Sequence, residues 1–380
     1  MRIAFVCDAY IPIPSGVAVS VETLRLSLDK LGAEVYVIAP RYSGWNDNTS
    51  RVGRLPAIFS PFEKFKPIIW PVSGLNKSSI RSLKLDLVHS HFYYNYFGLA
   101  AKLASIANVP LVNTFYKLFP EHADTSAKYK KWLIKTINFA EKCNHLIALS
   151  RTSKKYLLGL GISRPIEVLP VGIFLKDYSS FPPDMVKEKF HIPRNRKIIL
   201  YVGAVNEESN ISFLLKSFKN IWHAIEDVHL LIIGGGEKLN EYKEIVRRQP
   251  FSKFVTFTGY LPKSQVNKIY AVADVFAYPA QLDPEPLVVL ESISAGTPPV
   301  AVRGFGAQDF IKDNHNGFVT KLTIEDFSEK IIEILRRDKM RLEFSRRCRL
   351  DSLAFKAVNL SHDLLTFYEE VIEDYKNKFE

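Results

Sequence analysis

Cysteine is scarce in this chain: 380 residues contain three, Cys7, Cys143 and Cys348. Their odd number and wide spacing exclude a disulfide framework and a cysteine-based zinc site. No apolar run reaches the roughly 18 residues that a bilayer crossing needs. The opening Met1-Arg2-Ile3-Ala4-Phe5-Val6-Cys7-Asp8 is apolar but short, and Asp8 interrupts it. It lacks the long apolar region and small-residue cleavage site of a secretory signal. A cytosolic protein that begins on a buried strand is the expectation.

What the chain does contain is ordinary for a protein with a full core: 47% hydrophobic and 24% charged residues. At roughly 100–200 residues per domain, its length suggests two or three domains. The net charge is +11. Such a surface attracts nucleic acid, anionic lipid or phosphorylated substrates, or simply keeps a Lys-rich protein in solution. Charge alone does not choose among these, and no nucleic-acid-binding motif accompanies it.

The apolar pattern alternates between strand and helix. Ile3-Ala4-Phe5-Val6 is a continuous apolar run, as a parallel strand covered on both faces requires. After a Pro- and Gly-bearing loop, Val21, Leu24, Leu28 and Leu31 fall at helical spacing, and Val35-Tyr36-Val37-Ile38 follows as a strand. The alternation continues through strands over 87–89, 110–114, 145–148 and 166–169. It breaks at Gly172, Pro182, Pro183 and Pro193, then restarts with strands over 197–203, 229–233, 255–257, 275–278 and 299–302. Consecutive βα units predict two Rossmann-like, doubly wound parallel sheets facing a cleft, with ligands at the carboxyl ends of the strands. The expected division is residues 1–172, a linker over 173–195, a second domain over 196–358, and a last helix over 359–380.

Candidate chemistry gathers after strand ends. Gly16 precedes a helix, where unpaired amides and the helix dipole favour an anion, although taken alone a turn that needs glycine for its backbone angles is the simpler explanation. His89-Ser90-His91 offers two imidazoles, but no nearby cysteine or carboxylate completes a metal set. Asn113-Thr114-Phe115-Tyr116 follows another strand. In the second half, Asp283 sits in a loop and Glu291 one helical turn inside a helix opening at Pro286-Leu287. The amides of Leu287 and Val288 suit a diphosphate, and Glu291 suits ribose hydroxyls. Glu291 needs a partner if buried, and otherwise lies on a solvent face.

The stretch from Asp283 to Pro298 resembles the family-4 retaining glycosyltransferases, whose motif reads E-x-F-G-L-x-x-x-E-A-x-A-x-G-x-P-V. Asp283 and Glu291 hold its acidic places, and Leu287, Gly296 (after Ala295) and Pro298 match. Further matches run in order: Ser15-Gly16-Val17, Asp86-Leu87-Val88-His89-Ser90-His91, Val168-Leu169-Pro170-Val171-Gly172-Ile173, Tyr201-Val202-Gly203 with Asn210, Phe257-Thr258-Gly259-Tyr260, Ala273-Asp274-Val275, and Asn316-Gly317. The resemblance implies the GT-B fold, with a nucleotide-sugar donor bound by the second half and an acceptor by the first. It implies that Asp283 contacts sugar hydroxyls, Glu291 the ribose, and Tyr260 and Leu261 the base. It also assigns Gly16, Gly203, Leu287 and Val288 to the donor, and sends the last helix back to the first domain.

Several places depart from the family pattern. The motif G-R-x-x-x-x-K-N supplies two cations for the diphosphate, but Ala204 and Ser209 stand in their places. Asp283 is shorter than Glu by one methylene, Pro286 replaces a glycine, and Tyr116 takes the place of an acceptor-side histidine. Lys238, Lys263 and Arg303 are the candidate substitute cations. A divalent metal is another source of counter-charge, though no motif requires one. The Gly16-Val17 start resembles that of the lipid-glycosylating members. With Lys128, Lys130, Lys131, Trp132, Leu133 and Lys135 on one helix, and Phe62, Lys64, Phe65, Lys66, Ile68, Ile69 and Trp70 in one loop region, it suggests attachment to an anionic membrane at the inner face. The expected activity is retaining transfer of a hexose from a nucleotide-diphosphate sugar to a lipid or glycan. The alternative is a catalytically silent GT-B protein that binds a nucleotide-sugar or a partner glycosyltransferase.

Overall fold

The computed structural model describes residues 1–13, 15–59, 67–69, 76–92, 97–116, 118, 127–175 and 182–378. The chain forms two units, Met1–Phe174 with Lys356–Glu380, and Leu175–Phe355. The first contains β1 (Arg2–Cys7), β2 (Glu34–Pro40), β3 (Val52–Leu55), β4 (Ala57–Phe59), β5 (Pro67–Ile69), β6 (Leu87–Phe92), β7 (Leu111–Phe115), β8 (His145–Ala148) and β9 (Ile166–Val168). Its seven-stranded sheet runs β3-β2-β1-β6-β7-β8-β9, and β4 pairs with β5 antiparallel beside it. Every neighbour in the main sheet is parallel. The order reverses direction between β1 and β6, so loops leaving those two strands flank an open crevice.

Ile3, Phe5, Val35, Val37, Leu87 and Val112 are buried in the core of this sheet. Each fully buried side chain of this size contributes roughly 1.5–3 kcal/mol relative to exposure. The last helix, Ala357–Asn377, closes the same core with Leu364, Phe367, Tyr368 and Val371 and packs along the Gly16–Lys30 helix. The main chain also ties the start of the last helix to the stretch after β9, where Ala357 N–H donates to Ile173 O at 2.8 Å.

The second unit contains β10 (Lys197–Val202), β11 (Val228–Ile233), β12 (Val255–Gly259), β13 (Val275–Tyr278), β14 (Pro299–Val302) and β15 (Phe318–Thr320). They form one parallel sheet in the order β12-β11-β10-β13-β14-β15, which reverses between β10 and β13. A helix at Pro183–Lys189, in the segment read as a linker, belongs to this unit. The core combines Ile199, Leu230, Ile232, Val275 and Val300 with Leu214 and Phe218 of the Ile211–Ala224 helix and Phe327 and Ile331 of the Ile324–Arg336 helix. Both sheets are thus covered, as continuous apolar strands require. Among the described residues, no helix is long and apolar enough to cross a membrane.

Candidate functional site

In the second unit the strand ends are locked together by main chain. Gly203 N–H, just after β10, donates to Ile233 O at 3.0 Å, Val205 N–H to Gly235 O at 3.0 Å, and Gly234 N–H to Gly259 O at 2.9 Å. The approach is so close that a Cβ on Gly234, whose φ is +133°, would lie 1.9 Å from Gly203 O. A Cβ on Gly235 would lie 2.6 Å from the ring of Tyr260. Tyr260 follows β12 and stays 54% exposed, an aromatic face beside bare main chain. Leu261, half-buried, leads from it to the Lys263–Tyr270 helix.

The neighbouring turn explains what replaced the expected cations. Tyr201 Oη donates to Ala204 O at 2.7 Å. Ser209 is buried, and its Oγ donates to Asn206 Oδ1 at 2.6 Å while its N–H donates to the same oxygen at 3.0 Å. Asn206 and Ser209 therefore hold each other across three residues, each side chain accepting from the other's main-chain N–H in the manner of a capping box. A lysine in place of Ser209 would lose the Oγ bond to Asn206.

The Leu287–Ala295 helix opens after Pro286, which has no N–H of its own and accepts from Val289 N at 2.8 Å. Helix geometry leaves the amides of Leu287 and Val288 without intrahelical partners. One turn further in, Glu291 is 5% exposed, which overturns the solvent-face alternative. Its Oε1 accepts from Lys263 Nζ, and its Oε2 is buried without a hydrogen-bond partner. Lys263 is thereby engaged by a carboxylate rather than standing free for a phosphate. Lys238 is engaged likewise: it pairs with Glu241 at 2.7 Å, and its pKa is raised mainly by that hydrogen bond. Arg303, after β14, is exposed, and no ion pair holds its guanidinium among the described residues.

Asp283 lies in the loop that Arg303 adjoins, where Gln281 Nε2 donates to Arg303 O at 2.9 Å. As a residue Asp283 is exposed, but its carboxylate turns inward. It accepts from Tyr278 Oη at 3.3 Å and Glu285 N at 3.0 Å. Desolvation pushes its pKa up to about 6, against the lowering effect of those two hydrogen bonds. Glu285 is a buried acid that sequence reading passed over. It occupies the place of the motif's Phe, and that departure was the available signal.

In the first unit, Gly16 is the first residue of its helix, capped where Ser15 Oγ accepts from Ala18 N at 3.1 Å. A Cβ on Gly16 would meet nothing within 4 Å, and its φ is not in the left-handed region, so the turn does not require glycine for its angles. Within β6 and β7, His89 Nδ1 lies 2.5 Å from Tyr368 Oη and its Nε2 2.7 Å from Thr114 Oγ1. His91 Nδ1 lies 3.0 Å from Tyr116 Oη, and its Nε2 is buried without a partner. Burial holds the His89 pKa well below its ordinary value and pushes His91 down to about 3, so both are neutral at pH 7. Among the described residues, no group of three or more His, Cys, Asp or Glu gathers to hold a metal ion.

The membrane candidates divide. Phe62, Lys64, Phe65, Lys66 and Trp70 lie outside the described residues, as do the side chains of Ile68, Ile69, Lys128 and Trp132. On the Ala127–Ala140 helix, Lys130, Lys131 and Lys135 are exposed around Ile134, itself 58% exposed, and Leu133 is half-buried.

The chain is similar to known proteins. Residues 14–176 match the family described as Glycosyltransferase Family 4, and residues 184–351 match Glycosyl transferases group 1. The alpha-monoglucosyldiacylglycerol synthase of Acholeplasma laidlawii is 25% identical over 100% of this chain and 99% of its own length. The enzyme of the same name from Streptococcus pneumoniae is 26% identical over 79% of this chain and 71% of its own. Among solved structures, sucrose-phosphate synthase from Thermosynechococcus elongatus aligns with a TM-score of 0.80 at 17% identity, covering 98% of this chain and 100% of that one. Anabaena HepE in complex with UDP-glucose aligns at 0.77 and 16% identity, covering 97% and 100%. These likenesses establish the GT-B fold of two parallel-sheet Rossmann-like domains, and retention is consistent with the family. Two consecutive matches spanning nearly all of the chain place this protein in glycosyltransferase family 4, as an enzyme that transfers a sugar.

Proposed function

We propose that the protein transfers a hexose from a nucleotide-diphosphate sugar to a lipid acceptor at an anionic membrane surface, with retention of configuration. The observation that carries the donor side is Glu291. A carboxylate buried on an otherwise apolar helix, with one oxygen unpartnered, suits the hydroxyls of a ribose. The amides of Leu287 and Val288 and the main chain at Gly203 serve the diphosphate. Tyr260 and Leu261 serve the base, and Asp283 the transferred sugar. Gly16 opens a helix whose first amides suit an anion.

Arg303 is the counter-charge for the departing diphosphate, since Lys238 and Lys263 are held by carboxylates. In the first unit, Tyr116, with its hydroxyl fixed by His91, faces the acceptor. The lipid acceptor rests on the full-length likeness to one synthase named for monoglucosyldiacylglycerol and on the basic stripe around Ile134. A cytoplasmic protein docked peripherally on the inner face of the membrane follows from the same reading. A divalent metal would supply the counter-charge if Arg303 does not.

The test is transfer from radiolabelled UDP-glucose to diacylglycerol or monoglucosyldiacylglycerol in anionic and in neutral vesicles. Transfer in anionic vesicles, weakened by salt, supports the reading. Arg303→Met should lower turnover about 100-fold, the loss typical of one charge-stabilising donor. EDTA sensitivity with an indifferent Arg303→Met would transfer that role to a metal. Nucleotide binding with no transfer to any acceptor would instead favour the silent binding protein.

A further inference from the structure

The proposed ribose site contains a cation that its usual description does not need. Glu291 has two carboxylate oxygens, and a vicinal diol ordinarily donates one hydroxyl to each. Here Oε1 is already bonded to Lys263 Nζ, while Oε2 is buried and unpartnered. Lys263 is not sealed in with it: the lysine side chain is 46% exposed, against 6% for that of Glu291. Its position is fixed by the fold, because it is the first residue of the Lys263–Tyr270 helix, directly after Tyr260, Leu261 and Pro262. The Lys263–Tyr270 and Leu287–Ala295 helices pack against each other, so lysine and glutamate meet across that contact, 28 residues apart in sequence.

We propose that Lys263 is a specificity-determining residue that makes the site read the two ribose hydroxyls unequally. One hydroxyl donates to Glu291 Oε2. The other hydroxyl's oxygen accepts from Lys263 Nζ, whose ammonium carries three hydrogens and spends one on Oε1. The first contact repairs a buried acceptor that has no other partner, so its loss is expensive. The second is made by a partly exposed ammonium that water can solvate when the hydroxyl is missing, so its loss is mild. Lys263 thus works as a recognition group at the pentose rather than as a diphosphate counter-ion. This rests on reading the second unit as the donor site.

The experiment is calorimetric binding of UDP and GDP to the full chain, then of the tighter nucleotide's 2′-deoxy and 3′-deoxy forms. Wild type should lose about 10-fold or more with one deoxy form and less than about 3-fold with the other. In Lys263→Met both carboxylate oxygens become available to hydroxyls, so the two losses should converge. Lys263→Arg, which keeps the donor, should preserve the inequality. Thermal unfolding of each variant separates altered recognition from damage to the fold. Equal losses in wild type, or an inequality untouched by Lys263→Met in a folded protein, would overturn the proposal while leaving the donor site standing. Failure of wild type to bind either nucleotide would overturn the donor-site reading, and this inference with it.

Discussion

The ends of the two sheets are furnished by opposite chemistry. In the first unit, β6 and β7 carry His89, His91 and Thr114, with Tyr116 just after β7, a buried cluster of imidazoles and hydroxyls with no charge at neutral pH. In the second, the corresponding region holds Glu291 against Lys263 and the inward carboxylate of Asp283. Both arise from the same βα repeat, so topology does not dictate the difference. Side-chain partners do. The imidazoles are kept neutral by burial among hydroxyls and rings, with Phe5 edge-on to both. Glu291 lies where a lysine reaches it. A sheet end built of neutral hydrogen bonds orients groups, whereas one built of charge can recognise and stabilise charge.

The comparison can be broken most severely at Gly234. A methyl there would press main chain on main chain, so Gly234→Ala should cost about 3 kcal/mol or more and abolish nucleotide binding. Thermal unfolding with a nucleotide present and absent checks both parts. A variant of unchanged stability would mean that the strand ends of the second unit are looser than the close approach implies.

A smaller loss is expected in the first unit. Tyr368→Phe removes the hydroxyl from His89 Nδ1 and leaves a buried ring nitrogen without a partner, at a cost of about 1–3 kcal/mol. Nucleotide affinity should not change. Urea unfolding measures the first effect and calorimetry the second. A weakened affinity would show that the neutral cluster also serves the donor.

The mildest test uses protons, and here the two regions carry opposite signs. His91 has its pKa depressed from 6.5 to about 3, so the unfolded chain binds more protons between those values. Its contribution to stability is complete above pH 6.5 and fades as pH falls toward about 3, by up to about 1.4 kcal/mol per pH unit. Asp283 has its pKa raised from 3.8 to about 6, so the folded chain holds the extra proton. Its contribution is present below pH 3.8 and is lost as pH rises through about 6. Stability measured from pH 4 to 6 should therefore fall less steeply with acidification in His91→Gln than in wild type. It should fall more steeply in Asp283→Asn. Parallel curves for both variants would remove the distinction.

How much of this was legible in the sequence depends on how local the physics is. Continuous apolar runs such as Ile3 to Val6 and Leu230 to Ile233 announced buried parallel strands, because burial on both faces leaves no polar alternation. β3 escaped notice, since it is an edge strand with Gly53 and with Arg54, whose side chain turns to Asp47 and to Pro40 O. β15 is three residues long and too short to carry a period. The helix bearing Glu291 was legible from its apolar spacing, but the partner was not. Periodicity gives the direction a side chain faces, not the residue waiting there. For the same reason Lys238 and Lys263 read as available cations until their carboxylates were located. The His89–Tyr368 contact spans 279 residues, and no local pattern encodes it.

The closing helix has one further consequence, which concerns order in time. Residues 175–355 are inserted, in sequence, within the first unit, which is completed only by the helix Ala357–Asn377. On a ribosome, β1 to β9 emerge with one flank of their core uncovered, and His89 lacks the Tyr368 hydroxyl. The inserted unit is contiguous and can fold as soon as its own residues are made. The part synthesised first is therefore finished last. Until then it exposes Val17, Val21 and Leu24, the surface against which the closing helix will settle.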